Sequence, residues 1–286
     1  MGGNKMNETK SVKALKKQLA AAIAMVCVAA IALGSSTYAW FAQNTNVTAE
    51  GMSVQAQAED GILISNSDRK NWSSTATATS ASAKLFPTST RDVTTWYHNK
   101  SQQADDAEAS QKADTYEKLS LENSKGTYGV GYVDTNNDDE YNEGEASYYL
   151  LNEFTIKSSA GDLSKTPLYI NSVTVKDNNS NNKLDAALRI AIKVAGDENT
   201  YIYAPVTEAT ATYKVGGADK SDLTVKTNDK NIQTTVNAIP SSDTGVKVQV
   251  YAYFEGEDAN CKSTNISGIT PDELSVSVVF GTATIS

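Results

Sequence analysis

The sequence predicts a mainly β protein, an antiparallel β-sandwich, and three observations carry that reading. Beyond about residue 50, short runs rich in Val, Ile, Tyr, Phe and Thr recur, several alternating apolar with polar as half-buried strands do. Clusters of Gly, Asn, Asp and Ser separate these runs and mark turns. No internal repeat is evident, and strands do not alternate regularly with helices, so the pattern is neither all-helical nor α/β.

The first element is a leader. Lys16-Lys17 precede a nearly wholly apolar run from Gln18 to Leu33, and Thr37-Tyr38-Ala39 closes it with a small-x-Ala ending. These are the three parts of a secretory signal peptide, with cleavage expected between Ala39 and Trp40. Lys5, Lys10, Lys13, Lys16 and Lys17 against the single Glu8 hold the N-terminus on the cytoplasmic side during export. The competing reading is an uncleaved membrane anchor, because the run falls just short of the ~20 residues of a usual span. Cys27 sits in mid-run behind Met25-Val26, which does not suit lipid modification.

Ser36-Thr37-Tyr38-Ala39-Trp40-Phe41, with Asn44-Thr45-Asn46-Val47-Thr48 after it, resembles the start of TasA/camelysin-type proteins of Gram-positive bacteria. Tyr253-Phe254-Glu255-Gly256-Glu257-Asp258-Ala259-Asn260-Cys261 and Leu274-Ser275-Val276-Ser277-Val278-Val279-Phe280 are similar to stretches of secreted proteins sharing that leader. The resemblance implies removal of the leader by a SipW-type signal peptidase, a jelly-roll-like β-domain, and a role in surface fibres or biofilm matrix. The residues themselves divide the chain into a signal peptide over 1–39, a mature N-terminal tail over 40–49, and a β-sandwich domain over 50–286 with a helical and acidic-loop insertion at about 102–145.

Composition bounds the partners. The chain carries 25 Lys+Arg and 34 Asp+Glu; without the leader's five lysines and Glu8 the net charge is about −13. Such a surface repels nucleic acid and anionic membranes. Once the leader is removed, Cys261 is the only cysteine, so no internal disulfide forms and stability rests on core and sheet.

The tail, Trp40 to Ala49, has aromatic residues and no evident place in its own domain. Trp40, Phe41 and Val47 are the candidate assembly residues: the tail either pairs with a neighbouring subunit by strand addition, as the resemblance favours, or is a floppy terminus. Met52 to Ala58 alternates as a strand, and Gly61 to Ser65 follows as a second. Ser73 to Ala83, nearly all Ser, Thr and Ala, reads as a surface loop or edge strand, and Leu85 to Thr90 as a turn. Gln102 to Leu121 lacks Pro and Gly and spaces Ala104, Ala107, Ala113, Tyr116 and Leu119 among polar residues, which predicts a short helical excursion. Strands follow at 146–157, 168–175, 186–194, 201–204, 209–215, 233–239, 246–255 and 274–280.

The sharpest local site is Asp134 to Glu145. Asp134, Asn136, Asp138, Glu140 and Glu145 place oxygen ligands at loop positions one, three, five, seven and twelve, as a calcium loop requires. Asp139 occupies the sixth position, where that loop wants glycine, so an acidic solvated loop competes with calcium binding. Asp177 to Asp185 is a weaker echo and reads as a polar turn.

Catalysis finds little support. The camelysin branch carries a peptidase label, yet His98 is the chain's single histidine and no His-Glu-x-x-His exists. Tyr148-Tyr149, Tyr201, Tyr203, Tyr251 and Tyr253 line sheet faces in core or edge packing, or stack on sugars or a partner. The expectation is a non-enzymatic, extracellular structural protein whose partners are itself, its signal peptidase and other matrix proteins or glycans. A calcium-dependent adhesin or carbohydrate-binding module is the alternative.

Overall fold

The computed structural model describes residues 47–49, 53–59, 61–79, 83–99, 116–118, 122–123, 130–132, 147–177, 184–204, 214–215, 218–219, 230–256, 258 and 274–283. By its internal contacts the chain divides into Met1–Gln43 and Asn44–Ser286, and all described residues belong to the second unit. The signal peptide over 1–39, Trp40 and Phe41 therefore lie outside the described residues.

The protein is mainly β. Strands are numbered in chain order. The larger sheet has nine strands, in the order β1 (Val47–Ala49), β5 (Ala83–Leu85), β11 (Ser147–Ser158), β20 (Val246–Phe254), β14 (Leu188–Val194) and β15 (Thr200–Tyr203). Off this path β3 (Ile62–Asn66) and β10 (Val130–Tyr132) pair with β11, and β9 (Glu122–Asn123) pairs with β10. The second sheet has five, in the order β18 (Ile232–Gln233), β13 (Tyr169–Asp177), β21 (Leu274–Gly281), β2 (Ser53–Ala58) and β4 (Thr75–Thr79). A three-stranded sheet joins β6 (Ser89–Thr90), β7 (Trp96–Asn99) and β8 (Tyr116–Lys118). Two short pairs, β12 (Leu163–Ser164) with β19 (Ala238–Ile239) and β16 (Lys214–Val215) with β17 (Ala218–Asp219), complete the described strands. One helical turn, α1 (Leu184–Ala187), leads directly into β14.

Alternation builds the core. Val248, Val250, Ala252 and Phe254 of β20 are fully buried and share their face with Leu188, Ile190, Ile192 and Val194 of β14 and Leu150, Phe154 and Ile156 of β11. In the second sheet, Val54 and Ala56 of β2 lie beside Val276 and Val278 of β21. The two sheets approach each other where β2 meets β3 and β11, and where β4 meets the same two strands. Branched and aromatic side chains fill these faces because a strand places every second residue on one side.

Most pairings are antiparallel; β2 with β21, and β5 with β11 at Ser147↔Leu85, are parallel. Gly245 opens β20 at φ +49, where an added Cβ would lie 2.5 Å from Thr155 Cγ2 and 2.6 Å from the Ile156 carbonyl, so only glycine fits this approach.

Several expectations change. Of the two readings of Ser73 to Ala83, the edge strand holds over Thr75–Thr79, at the end of the five-stranded order. Leu85 to Thr90 is not a simple turn, since it contains the end of β5 and all of β6. Within the expected helix Gln102 to Leu121, Tyr116–Lys118 is a strand that pairs with β7, Tyr97 opposite Lys118 and Asn99 opposite Tyr116. Long-range pairing overrides local helix propensity there; Ala104, Ala107 and Ala113 lie outside the described residues. The expected strand over 233–239 is two short ones, β18 and β19. His98 lies on β7, opposite Glu117.

Candidate assembly edge and its aromatic support

The tail ends in a strand of its own chain. In β1, Val47 pairs with Leu85, Thr48 with Lys84 and Ala49 with Ala83, antiparallel. Among the described pairings β1 touches β5 alone and stands last in the large sheet. Its acceptor β5 is also only three residues long, and reaches the body of the sheet through Leu85 opposite Ser147 and a Phe86 N–H donated to the Ser147 carbonyl at 2.7 Å. The remaining question is what holds β5.

The chain beyond β5 supplies the answer. Thr88 donates its N–H to the Phe254 carbonyl at 3.0 Å and accepts the Gly256 N–H at 3.0 Å, which carries the strand across the end of β20. It then covers part of the large sheet's other face. Leu151, Tyr251, Ala191 and Ile202 are cross-strand neighbours there, between the inward-facing residues of β11, β20, β14 and β15. Trp96 stacks on Tyr149 with centroids 4.5 Å apart and meets Tyr253 edge-on at 5.1 Å, while Phe86 lies 6.1 Å from Tyr148. Such pairs stabilise by roughly 0.5–1.5 kcal/mol each beyond their burial.

The loop that presents Trp96 is strained and tied. Val93 has φ 55, a left-handed conformation unfavourable for a β-branched residue. Thr90 Oγ1 accepts the Val93 N–H at 3.0 Å and donates to the Thr95 carbonyl at 2.7 Å; Asp92 Oδ1 accepts the N–H groups of Thr94 at 2.9 Å and Thr95 at 2.7 Å. The Trp96 indole N–H donates to the Val93 carbonyl at 3.2 Å. The strain puts Val93 into the aromatic cluster with Trp96, Tyr149 and Tyr253. Burial pushes the phenols of Tyr148 and Tyr149 up to about 12, and raises Tyr251 as well. These rings stay neutral and packed, so Tyr148, Tyr149, Tyr251 and Tyr253 do not form an open sugar-stacking platform.

The end of β20 is anchored separately. Arg189, fully buried on β14, places its Nη2 2.5 Å from Asp258 Oδ2, and its Nη1 donates to the carbonyls of Ala186 at 2.9 Å and Leu188 at 3.1 Å. Glu255 donates its N–H to the Ala187 carbonyl at 2.9 Å. Breaking such a buried pair by removing one partner leaves a buried charge uncompensated.

Of the residues singled out in the sequence, Val47 lies on β1, whereas Ala39, Trp40 and Phe41 are outside the described residues. So are Asp134, Asn136, Asp138, Glu140 and Glu145. Among the described residues no three or more His, Cys, Asp or Glu side chains gather as a metal site would require, and no helix is long and apolar enough to cross a membrane. Sequence reasoning missed Trp96, set in a polar stretch, and the Arg189–Asp258 pair, whose one signal is an arginine inside the apolar run Ala186 to Val194. No protein-family model, curated protein or solved structure matches this chain.

Proposed function

We propose that this chain is a secreted, non-enzymatic structural subunit of a Gram-positive cell surface or biofilm matrix, of the TasA/camelysin type with a jelly-roll-like fold, and that mature subunits join by exchange of the N-terminal strand. The supporting observation is the position of β1. It is three residues long, terminal in its sheet, joined only to β5 among the described pairings, and directly continuous with the tail that signal cleavage between Ala39 and Trp40 would free. Such a strand exchanges its own β5 for a neighbour's at small cost, because the same backbone hydrogen bonds form in either case. Calcium held by Asp134 to Glu145 belongs to the same proposal, as a weak extracellular site that orders its loop.

Deleting Trp40 to Ala49 from the mature protein tests the assembly. The expected outcome is a folded monomer that no longer forms filaments under the electron microscope; unchanged filaments would sink the reading.

A further inference from the structure

The strands that end the two sheets differ in length. β18, β1 and β15 have two, three and four residues, whereas β4 has five and closes the five-stranded sheet. A long, neutral edge is a template for another chain, and proteins blunt such edges with charge, proline or a bulge. β4 has none of these: Ser73 to Ala83 is Ser, Thr and Ala throughout, and the pairing with β2 runs without a register shift.

The register fixes which backbone groups lie on that edge. Ala58 donates its N–H to the Ser74 carbonyl at 2.8 Å, so Ser74, Ala76 and Ala78 turn their polar groups towards β2, and Thr75 and Thr77 turn theirs outward. Two side chains occupy these outward groups. Asn66 Nδ2 donates to the Thr77 carbonyl at 3.1 Å, and Ser73 Oγ accepts the Thr75 N–H at 3.4 Å. Both residues are held in place by backbone pairing: Asn66 lies opposite Phe154 of β11, and Ser73 exchanges N–H···O bonds of 2.8 and 3.1 Å with Ile64.

The strand's own sequence defines what would pair there. Thr75-Ala76-Thr77-Ala78-Thr79 reads the same in both directions, so a second copy's β4 fits it antiparallel about a two-fold axis at Thr77. Threonine then lies opposite threonine and alanine opposite alanine, and no charge on either strand opposes the approach. The two Thr77 residues would exchange N–H···O bonds, and the Asn66 amide stands on the carbonyl that this exchange needs.

We propose that Asn66 and Ser73 are edge guards, whose side chains cap β4 and keep it from pairing with β4 of a second copy. One consequence, that strand addition is confined to β1, rests on the strand-exchange reading; the guarding itself does not. Thr77→Cys in a Cys261→Ser background tests it, because two β4 strands paired at Thr77 bring their thiols within disulfide reach. Under mild oxidation the mature chain is expected to form few disulfide-linked dimers. Asn66→Ala with Ser73→Ala is expected to raise their yield at least tenfold with unchanged circular dichroism and Tm, and each single variant, measured where the double one loses its fold, to raise it in part. Gln55→Cys, exposed one strand further in, reports chance collision and is expected to stay low with and without the guards. An equal yield from Thr77→Cys in both backgrounds, or a rise shared by Gln55→Cys, would overturn it. Filaments kept or lost on deleting the tail bear on strand exchange alone, since β4 takes no part in it.

Discussion

The strands β1 and β2 are separated by only three residues, yet they occupy opposite situations. β2 lies inside the five-stranded sheet, parallel to β21 on one side and antiparallel to β4 on the other, with Val54 and Ala56 fully buried. β1 lies at the rim of the other sheet and meets only β5 among the described pairings. Alternating side chains explain the difference: Ser53 to Ala58 offers the core an apolar face at every second residue, and Val47-Thr48-Ala49 is too short to do so. Chain held like β2 cannot leave without unfolding the domain; chain held like β1 can.

The largest expected effect breaks the central strand. Val54→Asp puts a carboxylate with no partner into the core and should cost more than about 4 kcal/mol, enough to leave little soluble folded protein. Circular dichroism and denaturant titration would show it, and a folded variant with an unchanged midpoint would mean that β2 is not central. Next comes the support of β1. Trp96→Ala removes the ring between Tyr149 and Tyr253 and should cost about 3–5 kcal/mol in denaturant titration, loosening the covering segment and β5 with it.

Alkaline pH acts on the same cover more gradually. The folded-state pKa values of Tyr148 and Tyr149, about 12, lie above the ordinary tyrosine value. Their contribution is complete below about pH 10, where the unfolded phenols begin to ionise, and is lost as pH rises towards the folded value. Denaturation midpoints should fall across that window, together with a phenolate absorbance that appears late and cooperatively. Early, gradual ionisation of all tyrosines would show that the cover is open.

Much of this was legible before the structure. Strands at 53–58, 62–66, 147–158, 246–254 and 274–281 announce themselves by period-two alternation or by buried β-branched runs, because burial on one face acts on each residue separately. What was not legible depends on residues far apart. The parallel union of β2 with β21 has no local signature. Tyr116 to Lys118 carries helical composition and becomes a strand only through its pairing with β7. Trp96 looks exposed among Thr94, Thr95 and His98 until the tyrosines of β11 and β20 are brought beneath it, and the charge of Arg189 makes sense only with Asp258 beside it. From its sequence the tail has no evident place in its domain. Its end, Val47 to Ala49, has one, and that place is at the rim.

The strand-exchange claim is tested most directly by locking β1 to its own β5. Thr48 and Lys84 face each other in register, so Thr48→Cys with Lys84→Cys, in a Cys261→Ser background, can form a disulfide within one chain. Oxidised monomers are expected to stay monomeric at concentrations where the reduced form builds filaments, and adding reductant should restore assembly. Filaments grown from fully locked monomers would contradict it.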